Sequence, residues 1–462
     1  MGISPVQVML RFIAGFLPAL LFFGAIMDLA GTAKADNPVI QTLYSADPAP
    51  LVLNNRVYLF TGHDEDGSKT FNMRDWRLYS SADMANWQDH GVIMNLATFS
   101  WASERAWAGQ VIPRNGKFYY YVPVQQKNGA MAIGVAVSDS VTGPYRDALG
   151  KPLVANNEID PTVYIDDNGQ AYLYWGNPNL WYAKLNQDMV SISGSPVQVA
   201  LTTAGFGGRR SGANARATSF EEGPWIYKRN NLWYLVYAAN CCSEDIRYST
   251  GPSITGPWTY RGVIMATAGA SFTNHPAVLD FNGSSYFFYH NGALPGGGGY
   301  TRSVAVEKFN YNSDGTIPTI ATTTSGSPMI GTLSPYVRQE AETIAFSSGL
   351  KTETCSEGGM AVSFINNNDY IKVKGVAFGT TGAKSLSARV ASAGSGGKIE
   401  VRLGSTTGTL VGTCTVAGTG SWTTWATVTC PISGAKGTQD LFFRFTGSGS
   451  DTLFTFNWWM FE

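Results

Sequence analysis

Residues 159–175 read IDPTVYIDDNGQAYLYW: an acid beside proline, a short apolar run, a turn built on Asn and Gly, then an aromatic run. Alternating apolar and β-branched residues on either side of such a turn predict a β-hairpin. The same phrase recurs outward in both directions, as ADPAPLVLNNRVYLF at 46–60, AWAGQVIPRNGKFYYY at 106–121, EEGPWIYKRNNLWYLVY at 221–237 and NHPAVLDFNGSSYFFYH at 274–290. Successive openings, Asp47, Trp107, Asp160, Glu222 and His275, fall 53 to 62 residues apart. Repeats of that length made of strands, turns and aromatics predict the blades of a five-bladed β-propeller rather than a helical solenoid. Innermost strands line the axis of a propeller, so the five openings are expected to converge. Three acids and an imidazole at one hub are costly to bury without pairing or function, which marks the hub as a reaction centre.

Composition agrees with an all-β chain. The 462 residues include 52 Gly, 24 Phe, 22 Tyr and 13 Trp, and few stretches carry helical periodicity. A net charge of −1 provides no basic surface for nucleic acid. Abundant aromatics without charge suit a neutral ligand with apolar faces, as sugars have. A Thr, Ser, Gly and Pro-rich segment, IATTTSGSPMIGTLSPY at 320–336, has linker composition. The expected organisation is a leader at 1–35, a propeller at 36–321, a linker at 322–336 and a β-sandwich of jelly-roll type at 337–462, where short alternating strands follow one another at turn-sized intervals.

The leader is read from Arg11, the apolar run Phe12 to Met27, and Ala33-Lys34-Ala35, the small-x-small pattern cut by a signal peptidase. The run is short for a bilayer span, so a secreted protein with no membrane attachment after cleavage is expected. Among five cysteines, Cys414 and Cys430 lie in two strand-like stretches and are expected to pair. Cys241 and Cys242 either bridge each other or face opposite ways, and Cys355 is left over.

The motifs SADPAP, EIDPTVYIDDNG and EEGPWIYK resemble glycoside hydrolase family 43, over residues from about 40 to 320. That resemblance implies an inverting glycosidase in which Asp47 is the general base, Asp160 a pKa modulator and orienter, and Glu222 the general acid. Inversion asks for a protonated carboxyl on one side of the glycosidic bond and an ionised one about 6.5–9.5 Å away activating water. Glu221 is adjacent to Glu222, but consecutive strand residues face opposite sides. The resemblance also brings His275 near an axial calcium ion, although calcium favours oxygen ligands; a hydrogen bond from His275 to a carboxylate or water is the alternative. Trp101, Trp107 and Arg302 are the candidate sugar-binding residues, with blade packing as the alternative and Arg302 also able to bond a catalytic acid. His63 lies in a loop that either touches ligand or is solvated, and His290 is read as structural.

The C-terminal stretch is similar to carbohydrate-binding modules of family 6, in RQEAE, FINNNDYIKVKGVAFG, TGSWTTWATVTCPISG and FTFNWWMFE. This implies an aromatic clamp of Tyr370 and Trp422, and Glu340 and Glu342 near a structural calcium; no organic cofactor is expected. Thr455 stands where the family commonly has Asn. The function expected from these resemblances is exo-removal of terminal α-L-arabinofuranosyl units from a plant cell-wall polysaccharide, arabinoxylan, xylan or arabinan. β-Xylosidase or mixed activity is the alternative, endo-arabinanase a further one, and a lectin-like propeller the reading from another class.

Overall fold

The computed structural model describes residues 36–212, 216–448 and 452–462. The expected leader at 1–35 lies outside the described residues. Five antiparallel sheets of the propeller follow one another along the chain, each a meander in chain order. Their inner strands are Tyr44–Leu53, Gln110–Arg114, Thr162–Ile165, Phe220–Arg229 and Ala277–Phe281, and each neighbours the next in a closed ring around the axis. All five openings therefore sit at or just before an inner strand.

The turns explain why the phrase repeats. In four blades the inner hairpin closes through two residues that both take positive φ: Asn54 and Asn55, Asn115 and Gly116, Asn230 and Asn231, Asn282 and Gly283. The flanking pairs Leu53 with Arg56, Arg114 with Lys117, Arg229 with Leu232 and Phe281 with Ser284 fix two-residue loops. Such loops match the right-handed twist of the strands, and Asn and Gly tolerate the left-handed backbone they need. Aromatics of the returning strands then fill the space between blades; Phe60 and Tyr120, for example, meet edge to face at 5.5 Å.

Blade 5 has three strands of its own, ending in Ser303–Phe309. The segment just before blade 1 completes it: Val39 donates its N–H to the Val304 carbonyl at 2.9 Å, and Asn37 exchanges side-chain bonds with the Val306 backbone. Closure thus joins the two ends of the propeller segment, which removes an exposed sheet edge.

The C-terminal part is a sandwich of two sheets. One contains Lys351–Thr354, Met360–Ser363, Thr455–Phe461, Ser385–Ala391 and Ala426–Pro431; the other Phe346–Ser348, Tyr370–Gly379, Gly437–Thr446, Gly396–Leu403 and Thr409–Ala417. Val362, Leu386, Phe443, Phe456 and Trp459 are buried between them. Cys414 and Cys430 are bonded across the two sheets, with Cα atoms 5.1 Å apart. Cys241 and Cys242 are bonded to each other, and Cys355 is free and buried.

The segment with linker composition is held by backbone bonds at both ends. Thr323 donates to Glu307 at 2.7 Å and Ile330 to the Asp83 carbonyl at 2.8 Å in the propeller, while Leu333 donates to the Gly375 carbonyl at 2.9 Å in the sandwich. Thr343–Ile344 pairs with Trp87–Asn95 and so extends blade 1 by a strand. Asn86 and Lys374 bond across the junction in both directions, at 3.1 and 2.8 Å.

Candidate active site

A cavity of about 250 Å³ opens at the hub, lined by Asp47, Trp107, Asp160, Glu222, His275 and Arg302, with Phe71, Asn177, Glu244, Phe272 and the Cys241–Cys242 pair. Its size is below the usual range of about 300–1,000 Å³ for drug-sized ligands, which suits a small ligand. Backbone geometry aims the acids. Asp47 and Asp160 both take left-handed conformations, with φ of 55° and 59°, and both precede proline. Aspartate is among the few non-glycine residues that tolerate this region, and residues held there concentrate at functional sites. In blade 4 the left-handed residue before proline is Gly223, φ 60°, so the backbone equivalent of the two aspartates is Gly223 and the acid stands one place earlier. A Cβ on Gly223 would meet the His275 ring at 3.1 Å. Register slips on both sides of Glu222 accommodate the offset.

Glu222, rather than Glu221, faces the cavity. Glu221 is buried among Arg209, Arg216 and the Cys241 N–H. Asn177 donates its amide to Glu222, and Gly223 donates its N–H to Asp160 Oδ2 at 3.0 Å. Arg302 reaches Asp47 Oδ1 at 3.1 Å while Asp64 grips the same guanidinium at 2.8 and 2.9 Å.

These contacts separate the acids electrically. Burial works to raise the Asp47 pKa, but Arg302, His290 and His275 outweigh it and hold the carboxyl well below the usual range. Glu222 is pushed up to about 7 by burial and by the charges of Asp47 and Glu221. Asp160 is also pushed well up, by burial and by Glu222 and Asp47, against the stabilising Gly223 N–H. The carboxyl expected as pKa modulator is thus itself pushed toward its protonated form beside Glu222, because both are buried and both feel the charge of Asp47.

Among the other residues singled out, Trp107 lines the cavity, its indole N–H donating to the Phe71 carbonyl at 3.1 Å. Trp101 does not. It packs on Phe99 and donates at 3.0 Å to Asp147 of the outer strand Arg146–Asp147, so its ring is taken up within blade 2. Arg302 is committed to carboxylates rather than left free for sugar. His63 pairs with Asp75 at 3.2 Å, away from the cavity. His290, read as structural, lies against the site: its Nδ1 is 3.3 Å from Asp47 Oδ1 and faces the Asp47 N–H. Sequence reasoning missed Asp64, Asn177, Glu244, Phe71 and Phe272. For Asp64 no local signal exists, since its partner Arg302 is 238 positions away. The glycine run at 296–299 is packed at the rim; a Cβ on Gly299 would overlap the Phe272 ring at 1.9 Å.

In the sandwich a second cavity, of about 490 Å³, is lined by Trp422, Trp425, Phe364, Ser356 and Thr455. Both tryptophans lie in the loop between Thr409–Ala417 and Ala426–Pro431, so strand alternation does not separate them. Trp425 donates its indole N–H to Ser356 at 2.8 Å. Tyr370 is not part of this cavity, which corrects the expected clamp: it packs between Phe346 and Phe442 on the other sheet. Phe364, left-handed at φ 53° and largely exposed, is the ring beside Trp422 instead. The Thr455 hydroxyl donates to the Ala391 carbonyl at 3.2 Å.

Residues 35–317 match the model of glycosyl hydrolases family 43, and residues 340–462 that of carbohydrate binding module family 6. The chain belongs to glycosyl hydrolase family 43. It is 34% identical to an arabinoxylan arabinofuranohydrolase of Bacillus subtilis, over 92% of each chain. It is 33% identical to one of Paenibacillus polymyxa, over 96% of this chain and 77% of that one. A crystal structure of a Bacillus subtilis family 43 arabinoxylan arabinofuranohydrolase in complex with cellotetraose superposes with a TM-score of 0.79 at 34% identity, covering 93% of this chain and 99% of that one.

In this family 43 hydrolase the two expected calcium positions differ in fitness. At the hub His275 stands 4.0 Å from Asp47 Oδ1, a carboxylate already paired with Arg302, and an imidazole is not the oxygen donor that calcium takes. The sandwich suits the ion better. Glu342 Oε2 and Asn457 Oδ1 are buried oxygens without a hydrogen-bond partner, which is the donor chemistry calcium takes. Glu340 is bonded by Arg338 at 2.8 and 2.9 Å, so of the expected pair it is Glu342 that has an oxygen to offer.

Proposed function

We propose that the protein is an exported, exo-acting, inverting hydrolase that removes terminal α-L-arabinofuranosyl units from arabinoxylan. The observation that carries this reading is one hub cavity lined by two acids in opposite surroundings: Asp47 paired with Arg302, which holds its carboxyl well below the usual range, and Glu222 buried without a paired cation among the described residues and pushed up to about 7. In the proposed reaction Glu222 gives its proton to the leaving glycosidic oxygen as the bond from that oxygen to the anomeric carbon breaks. Water forms the new bond from the opposite face and passes its proton to Asp47. Arg302, held by Asp64, keeps Asp47 ionised and in place. Asp160 accepts the Gly223 N–H and so orients the segment that carries Glu222.

The arabinose preference is supported by the arabinoxylan arabinofuranohydrolases to which the chain is similar over most of its length. The Trp422 and Phe364 rings, with the family 6 match, support retention on the polysaccharide, which raises the local concentration of chain ends. Glu342 and Asn457 are proposed to hold a structural calcium in that module. Export is supported by the leader pattern at 1–35 and by the Cys414–Cys430 bond.

The test is proton NMR of arabinoxylan during hydrolysis. Free arabinose appearing first as the anomer opposite to that in the polymer is expected. Xylose, arabino-oligosaccharides or retained configuration would overturn the reading.

A further inference from the structure

Glu244 follows the strand Leu232–Ala239 in blade 4 and lines the same cavity as Glu222, yet the proposed reaction gives it no part. It is only 1% exposed. Its Oε2 accepts the Asn274 N–H at 2.7 Å, and its own N–H donates to the Phe272 carbonyl at 3.1 Å. Those two bonds hold the segment that enters blade 5. The Asn274 side-chain oxygen in turn accepts the N–H of His275 at 2.9 Å and of His290 at 3.3 Å. These two imidazoles stand 4.0 and 3.3 Å from Asp47 Oδ1. A continuous path of bonds thus runs from blade 4 to the acid in blade 1 without crossing the sugar space.

We infer that Glu244 is a positioning residue: it anchors the Phe272–His275 segment from blade 4 and, through Asn274, sets the two histidines that orient Asp47. The group works in its neutral form. Its Oε1 has no hydrogen-bond partner, and the arginines around the site are engaged by Asp47, Asp64 and Glu221. Burial, then Glu222, Glu221 and Asp160, drive its pKa well above the usual range. An ionised carboxylate there would face three acids unpaired.

The inference rests on Asp47 as the base, so Asp47→Asn is measured beside it on a soluble nitrophenyl arabinofuranoside. Glu244→Gln keeps the shape, the neutrality and the oxygen that accepts the Asn274 N–H, and is expected to retain more than a tenth of wild-type kcat. Glu244→Ala is expected to lose tenfold or more in kcat while KM moves less than threefold, as misplacement of a reacting group by fractions of an ångström implies. A smaller loss in Glu244→Ala, a larger KM change, or a Gln variant that falls below a tenth would overturn the inference. Should Glu244→Ala fail to fold, Asn274→Ala is read by the same kcat and KM limits. An active Asp47→Asn would instead overturn the underlying assignment of the base, whereas a dead Asp47→Asn with a normal Glu244→Ala removes the positioning role alone.

Discussion

In the propeller cavity the polar groups are sunk and charged, with Asp47 6% and Arg302 4% exposed; in the sandwich cavity rings stand out into solvent, with Trp422 42% and Phe364 48% exposed. The first arrangement is costly to fold, because each buried charge must find a partner, and it repays that cost only through chemistry that needs shifted acids. The second asks nothing of desolvation and offers apolar faces for a ring to lie against. One module is thereby built to react, the other to hold. The junction between them adds a shared strand and the two bonds of the Asn86 side chain to the Lys374 backbone, so the two are fixed together rather than strung on a loose tether.

The sharpest way to break this contrast is Glu222→Gln. Turnover of arabinoxylan should fall about 10³-fold, within the roughly 10²–10⁴ range of general acid catalysis, while retention on insoluble xylan stays unchanged. A substrate with a good leaving group should recover much of the loss, and steady-state kinetics on nitrophenyl and dinitrophenyl glycosides reads it. A variant that also loses retention would erase the division of labour.

Next in size is the pH response of kcat/KM. Loss of the Glu222 proton should reduce it about tenfold per unit above pH 7. On the acid side no fall is expected in the ordinary carboxylate range, since Arg302 keeps Asp47 ionised below it. Retention on polysaccharide has no such titrating pair and should stay flat across the same window. A parallel decline in both would show that the pH effect is unfolding.

The smallest effects belong to the sandwich. Trp422→Ala should weaken retention about tenfold, or ~1.4 kcal/mol, with unchanged rates on small soluble glycosides. Tyr370→Leu, which removes the ring and keeps an apolar side chain, should change neither, because that ring packs between Phe346 and Phe442 and not in the Trp422 cavity. Pull-down on insoluble xylan separates the two, and loss in Tyr370→Leu alone would restore the clamp expected from the sequence.

Much of this was legible in the chain. The recurring strand, Asn or Gly turn and aromatic strand specify hairpins locally, since two-residue loops demand left-handed residues and the aromatics demand burial; five repeats then leave few architectures. Asp47, Asp160 and Glu222 stood out because acids at repeat openings have no packing reason to be there. Trp101 was misplaced for the reverse reason: an aromatic near the axis in sequence reads the same whether it faces a ligand or fills a blade.

The sequence by itself determined the blade, its turns and the acids at its mouth, all of which depend on residues within a single hairpin. Only the tertiary structure decided which acid is ionised. That choice depends on Arg302 and Asp64, 238 positions apart, and on His290 from another blade. Electrostatic energy falls with distance in space, and separation along the chain carries no measure of it until the ring has closed.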